Sequence, residues 1–286
     1  CALPIYGVIH LAAYQDYMTD FSTFHHVNTV GATLLYERIV ADKLPVQKVV
    51  LASSQATYGE GKYRCGEHGI QYPDSRPDAQ LARGDWEVHC PVCERPMAHE
   101  QITEDRVQPH TTYGISKYAA ELTSFSLGRK YDIPTVNMRY SIVQGPRNSF
   151  FNAYSGICRI FTLRLLNDQP PVCYEDGQSL RDYVYVGDVA RANVLCLEDE
   201  RANFRAFNVG GQCGTTVLDY ARWLEVWMDR GAFEGERLLT NESVEAALTP
   251  GYSDRYGLHW ELFSEAPAGG MPIFGHGGSE IGRAHV

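Results

Sequence analysis

The chain has 286 residues, 44% of them hydrophobic and 21% charged, with a formal net charge of -10 and a pI of about 5.5. That length holds one large or two modest domains, and the apolar fraction suffices for a buried core. The acidic balance, without any Lys/Arg block, excludes a nucleic-acid partner, and no apolar run approaches the roughly 20 residues of a spanning helix, so no membrane association and a cytoplasmic location are expected.

Val8-Ile9-His10-Leu11-Ala12-Ala13 reads as a short buried strand ending in small residues. Asn28 to Ala41 has helical periodicity, which turns Leu34, Leu35 and Ile39 inward. Val46 to Ser53 is the next strand, and its apolar run gives out at two hydroxyl residues, Ser53 and Ser54. Tyr58 to Pro109 is rich in Gly, Pro and charge and reads as an insertion above a sheet. A helix follows to about Lys130, then a strand over Thr135 to Val143 punctuated by Gly145-Pro146, then an amphipathic helix over Tyr154 to Asn167. Alternation of continuous apolar strands with helices indicates an α/β fold. Its parallel sheet is covered on both faces, with ligands beyond the carboxyl ends of the strands.

Within the helix that runs to about Lys130, Tyr113 and Lys117 are four residues apart and share one helix face. A phenol with an ordinary pKa near 10 is a poor base at neutral pH, but a neighbouring ammonium favours the phenolate. Ser54 supplies a hydroxyl donor at the end of the preceding strand. Alone, Tyr-x3-Lys is a weak signal, because many solvated helix faces carry it.

Of the eight cysteines, Cys1, Cys158, Cys173, Cys196 and Cys213 are scattered and read as free thiols. The other three cluster. Cys65-x2-His68 and Cys90-x2-Cys93 form two knuckles separated by 21 residues, a spacing suited to a tetrahedral zinc ion. His89 and His99 are alternatives for one ligand. Four protein ligands leave no open position, so the metal is expected to be structural.

Six motifs occur in order: His10-Leu11-Ala12-Ala13; Asn28-x2-Gly31-x3-Leu35-x-Glu37; Ser53-Ser54-x3-Tyr58-Gly59; Tyr113-x3-Lys117; Arg139-x5-Gly145-Pro146; and Arg181-Asp182-Tyr183-x2-Val186-x-Asp188. Together they resemble the extended short-chain dehydrogenase/reductase family, over Cys1 to about Gly211. The resemblance implies a Rossmann-like doubly wound sheet and NAD-dependent chemistry on nucleotide sugars. It implies that Tyr113 is the general base, that Lys117 holds the nicotinamide ribose and lowers the Tyr113 pKa, and that Ser54 hydrogen-bonds the reacting sugar oxygen. It also places His10, Ala12, Ala13 and Ser53 at the cofactor, and Asn148 and Arg181 with Ser54 at the substrate. It admits a homodimer.

In the dehydratases of that family an acidic pair follows the hydroxyl residue, since eliminating water needs its own acid and base. Here those positions are Gln55 and Ala56, which makes epimerisation the expected reaction over reduction or dehydration. The cysteine-bearing insertion looks like that of the subset acting on dTDP-L-rhamnose at carbon 4. A non-catalytic, zinc-stabilised module that binds sugar nucleotides is the competing expectation.

Two departures from the family pattern set further expectations. The family's opening strand, Gly-rich turn and helix N-terminus, which cradle the cofactor pyrophosphate, are not found ahead of Val8. The fold is therefore expected to be incomplete, lacking the first βαβ unit, and the chain by itself inactive. Domain boundaries are expected at 1–211, with 58–109 as the zinc-binding insertion, a junction at 212–225 and an unrelated α+β fragment at 226–286. In that fragment Glu234-Gly235-Glu236-Arg237-Leu238-Leu239-Thr240, Tyr256-Gly257-Leu258-x-Trp260 and Phe274-Gly275-His276-Gly277-Gly278 resemble the C-terminal part of serine beta-lactamase and penicillin-binding-protein-like hydrolases. No Ser-x-x-Lys nucleophile motif accompanies them, so hydrolysis is not expected. Ile281 to Val286 matches one translation frame of a common sequencing adapter, and a misassembled reading frame is the expected origin of this tail, with a genuine two-domain fusion as the competing reading.

Overall fold

The computed structural model describes residues 6–16, 18–145, 156–210, 214–228, 230, 232–233, 235–242, 261–263 and 273–275. In chain order, β1 (Gly7–His10) leads into α1 (Phe21–Phe24), a π-helical segment (His25–Val30) and α2 (Gly31–Ala41), then β2 (Lys48–Ser54). A 3-10 turn (Gln55–Tyr58) opens the insertion, which carries β3 (Tyr63–Cys65), β4 (Gly69–Gln71), α3 (Asp78–Leu81) and β5 (Ala98–His99). Next come α4 (Thr112–Lys130), β6 (Thr135–Tyr140), β7 (Ile142–Gln144), α5 (Ile157–Leu166), β8 (Leu180–Tyr185) and α6 (Val186–Glu198). The remainder holds β9 (Arg205–Val209), β10 (Gly214–Thr216), α7 (Val217–Met228), β11 (Ala232–Phe233), β12 (Glu236–Arg237), β13 (Glu261–Phe263) and β14 (Ile273–Gly275).

The chain divides into two compact units, one formed by Cys1–Ser141 with Val189–Val209 and the other by Ile142–Asp188 with Gly210–Glu280. The first contains a wholly parallel four-stranded sheet in the order β1-β2-β6-β9. Its central strand β2 is buried at every residue, as a strand covered on both faces must be. Side chains on β2 alternate between the two faces. Val49 joins Tyr36 and Ile39 of α2, Leu51 joins Ala32 of α2 and Ala120 of α4, and Ser53 reaches Glu121 of α4. Lys48 points the other way, donating to the carbonyls of Cys196 and Asp199 at the end of α6, and Gly7 beside it lies against Leu197. Helices therefore cover both faces, and the α/β, Rossmann-like doubly wound reading holds for this unit.

Within the insertion β4-β3-β5 form a small antiparallel sheet. The second unit has its own three-stranded sheet, β10-β8-β7, and a core of Cys158 and Phe161 from α5 with Ala221 and Leu224 from α7. There Tyr183 stacks on Tyr220, with ring centroids 4.4 Å apart. β11 pairs with β12, and β13 with β14, in antiparallel fashion. His276 and Tyr256 to Trp260 lie outside the described residues.

Several sequence readings are corrected. The first strand ends at His10 and the helix begins at Phe21, well ahead of Asn28. Leu34 is 49% exposed, because the inward stripe of α2 runs through Ala32, Tyr36 and Ile39, and Leu34 stands off it. Thr135 to Val143 is not one strand: at Ser141, whose N–H donates to Val209 O over 2.9 Å, the ladder stops, and β7 belongs to the other unit's sheet.

Candidate active site

Helix α4 starts abruptly because Thr111, in extended backbone, accepts a hydrogen bond from the Gly114 N–H on its side-chain oxygen over 3.0 Å. That cap sets Tyr113 on the first turn and Lys117 on the second. Gly114 sits directly against the turn that follows β2: a Cβ there would overlap the Ala56 carbonyl oxygen. Glycine is thus what allows the start of α4 to touch the Ser54–Tyr58 turn. In that turn the Ala56 N–H donates to Ser54 Oγ over 3.1 Å. This occupies one acceptor lone pair of the hydroxyl and leaves its O–H to be directed elsewhere. The Tyr113 ring meets Phe24 edge-on, centroids 6.4 Å apart at 66°, and Phe24 meets Tyr14 in the same manner at 5.0 Å.

Lys117 is 4% exposed. Burial pulls its ammonium down from 10.5 to about 8, against the opposing pull of Glu121 one turn further along. An amine with a pKa near 8 still favours its protonated form at pH 7, one helical turn from Tyr113. Glu121, only 1% exposed, accepts a forked pair of bonds from Arg139 of β6, at 3.0 Å from Nε and 2.8 Å from Nη2. Ser53 Oγ donates to the same carboxylate. Arg139 Nη1 donates to Tyr58 Oη over 2.7 Å, and Tyr58 donates to Asn208 Oδ1 of β9 over 2.5 Å. A polar network, buried at Ser53, Tyr58, Glu121 and Arg139 and exposed at Asn208, thus joins β2, α4, β6 and β9.

At the end of β1, His10 has its Nδ1 buried without a partner, and burial followed by the Lys117 charge lowers its pKa. Ala12 and Ala13 lie just beyond, half-buried. This stretch is tied to α4 through Asn28, 2% exposed within the π-helical segment. Asn28 accepts from Tyr14 N–H over 2.7 Å and donates to Ser116 Oγ over 2.9 Å, and Ser116 Oγ donates to Tyr113 O over 2.8 Å. Thr29 Oγ1 adds a bond to Ser116 O over 2.8 Å.

The structure therefore gathers His10, Ser53, Ser54, Tyr113 and Lys117 in one unit, around the carboxyl ends of β1 and β2. Arg181 is exposed on β8 of the other unit, its guanidinium donating to Leu180 O, and Asn148 lies outside the described residues. Cys65, His68, Cys90 and Cys93 converge in the insertion, with all ligand atoms within 4.8 Å of one another. His89 instead faces Asp85 at 3.3 Å, and His99 is exposed on β5.

Two residues had no role in the sequence reading. Glu121 continues the Tyr113, Lys117 series by one more step of four, so its face was readable but its burial was not. Asn28 stood in a motif without a function, and its function is to bind the loop after β1 to the helix bearing Tyr113.

A parallel sheet wrapped by helices, with its polar residues gathered at the carboxyl ends of the strands, defines a Rossmann-like protein. Residues 87–210 match the profile of the NAD dependent epimerase/dehydratase family. The chain is 36% identical over 221 residues to the dTDP-L-rhamnose 4-epimerase of Burkholderia thailandensis, covering 75% of this chain and 59% of that protein. It is 27% identical over 232 residues to a UDP-glucose 4-epimerase of Lacticaseibacillus casei, covering 74% and 58%. The crystal structure of UDP-glucose 4-epimerase with UDP-glucose from Thermotoga maritima superimposes with a TM-score of 0.59 at 27% identity, over 83% of this chain and 66% of that one. Residues 87–210 thus form an NAD dependent epimerase/dehydratase family domain, and the chain spans a little under three fifths of the length of these two curated relatives.

Proposed function

We propose that this site serves NAD-dependent epimerisation of a nucleotide sugar, at carbon 4 of a dTDP-sugar. The observation that carries the proposal is a buried Lys117 one turn from Tyr113, on a helix whose first turn rests on the Ser54 turn. When bound, NAD supplies a hydride acceptor that can also return the hydride. Tyr113 takes the proton from the sugar hydroxyl as that carbon is oxidised, and gives it back when the ketone is reduced on its other face. Lys117 favours the phenolate form, and the Ser54 hydroxyl holds the sugar oxygen.

The residues present fit the nicotinamide end of the cofactor. The orphaned His10 Nδ1 and the small Ala12 and Ala13 leave polar and steric room at the end of β1. Dehydration is disfavoured because the positions after Ser54 hold no titrating group; Gln55 instead accepts from Ser141 Oγ over 3.2 Å. The similarity to the Burkholderia dTDP-L-rhamnose 4-epimerase supports the choice of sugar. We assign a structural zinc to the four-residue cluster of the insertion. A cytoplasmic setting suits the six described cysteines, all free thiols, and no described helix is long and apolar enough to cross a membrane.

The test is NMR at carbon 4 of dTDP-L-rhamnose incubated with NAD and the protein. Inversion that Tyr113→Phe removes supports the reading, and accumulation of a 4-keto sugar overturns it. Uptake of the sugar nucleotide without any effect of NAD, read by calorimetry, would replace the enzyme with a binding module.

A further inference from the structure

The insertion has almost no hydrophobic core of its own. Its buried cluster consists of Cys65, Cys90 and Met97, with Tyr63, Val88 and Cys93 packed around them, so three of the six residues are candidate metal ligands. Burial on that scale does not offset the entropy of ordering some fifty residues. Something else must hold this subdomain, and the described cysteines are not joined as disulfides.

The geometry supplies the answer. Metal–sulfur bonds of about 2.3 Å and metal–nitrogen bonds of about 2.0–2.1 Å in a tetrahedron put neighbouring ligand atoms roughly 3.6–3.8 Å apart. Cys65 Sγ lies 3.6 Å from Cys93 Sγ and 3.6 Å from His68 Nδ1, and Cys90 Sγ lies 3.6 Å from His68 Nδ1. Each pair of ligands comes from a tight turn. Cys65 ends β3 and pairs with Gly69, leaving His68 in the connecting turn, and Gly69 has a φ of +66° that suits glycine. Cys90 and Cys93 lie in a second turn closed by Glu94 N–H to Cys90 O and Cys90 N–H to Arg95 O, both 2.9 Å. Glu67 of the first turn forms an exposed ion pair with Arg95 of the second.

From this cluster the chain returns directly to the active-site network. After β5, Glu100 N–H donates to Lys62 O over 2.8 Å and so stays attached to the small sheet. Two residues on, Ile102 O accepts from Asn208 Nδ2 over 3.1 Å. Glu104 then accepts Asn208 N–H on its side chain over 2.8 Å and Arg139 Nη1 on its carbonyl over 3.1 Å. Asn208 and Arg139 are the residues that bind Tyr58 and Glu121.

We infer that Cys65, His68, Cys90 and Cys93 hold one zinc ion, and that the metal-folded insertion keeps Ile102 and Glu104 on Arg139 and Asn208, positioning the network behind Lys117. This deepens the zinc assignment made above and rests on it.

The test uses the whole chain, purified from zinc-containing medium without chelators. Elemental analysis should find one zinc per chain, and cobalt exchanged into the site should show the visible bands of a tetrahedral thiolate complex. Cys93→Ala should lose the metal and Cys93→His, which restores a ligand atom, should keep it. Hydrogen exchange should then rise at least tenfold at the Asn208 amide when zinc is chelated, with the Val136 and Met138 amides of the central sheet unchanged. Metal-free folded protein, or a disulfide among the four residues, overturns both the zinc assignment and the inference. Stoichiometric zinc with unchanged exchange at Asn208 after chelation leaves the assignment standing and overturns the positioning role, and loss of protection throughout the sheet overturns it too.

Discussion

Asn28 and Ser116, 88 positions apart in the chain, share a buried hydrogen bond of 2.9 Å, and through it the loop after β1 is fastened to the turn carrying Tyr113. The carboxamide of Asn28 also accepts from Tyr14 N–H and donates to Tyr14 O. Asn28→Ala should therefore leave backbone and hydroxyl groups without partners and cost roughly 2–3 kcal/mol in urea unfolding. Asn28→Asp keeps the acceptor and loses the donor, and should fall between the two. Equal stability of all three proteins would show that the bond does not fasten the loop.

Gly114 and Gly31 form a matched pair. Helix propensity alone makes Gly→Ala stabilising by about 0.5–1 kcal/mol. At Gly31 the nearest obstacle is 3.8 Å away, so Gly31→Ala should gain that amount. At Gly114 the added methyl would overlap the Ala56 carbonyl, so the sign should reverse, with a loss of about 1–3 kcal/mol and a larger fall in activity as α4 moves off the Ser54 turn. Thermal unfolding of the two variants side by side reads the signs.

Lys117 gives a pH dependence whose direction follows from its lowered pKa. Below about pH 8 it is protonated in both folded and unfolded chains, and the cost of burying the charge is carried in full. Between about 8 and 10.5 the folded protein releases the proton first, so stability rises with pH, and above that range the cost is gone. The full difference is roughly 3 kcal/mol. Lys117→Met should accordingly be the more stable protein at pH 7 by up to that amount, with the advantage shrinking toward pH 10.5. Denaturant midpoints of both proteins across the range provide the check, while the variant should lose turnover at every pH.

The Glu121–Arg139 pair is buried on both sides. Glu121→Gln leaves a guanidinium without its counter-ion and should cost about 3–5 kcal/mol. Replacing both, with Glu121→Leu and Arg139→Met, should cost less than the sum of the single changes, since no charge is then stranded. Guanidinium unfolding of the two singles and the double closes the cycle.

What the sequence disclosed and what it hid follow from the range of the interactions. Tyr113 and Lys117 were legible because four-residue spacing is a local geometry, and β2 because an unbroken apolar run needs no partner to be noticed. Leu34 was misread because the inward stripe of α2 uses Ala32 and Tyr36, which a hydrophobic count ranks below leucine. Glu121 was hidden because a buried carboxylate is tolerable only with Arg139, which the fold delivers from β6. The knuckle pairing could be read from cysteine spacing, but the route from Glu104 to Asn208 spans 104 positions and has no local mark.

The π-helical segment at His25–Val30 carries a consequence for the length of the chain itself. Gly31 N–H bonds to His26 O, five residues back, so this helix holds one residue more than an α-helix would. Each residue turns a helix by about 100°. Ala32, Tyr36 and Ile39 meet the sheet only while Phe24 and Asn28 face Tyr14 and α4. The wide turn takes up that extra residue and so keeps both faces in register; forcing the segment into a regular α-helix with every residue retained would swing one face about 100° off its neighbour.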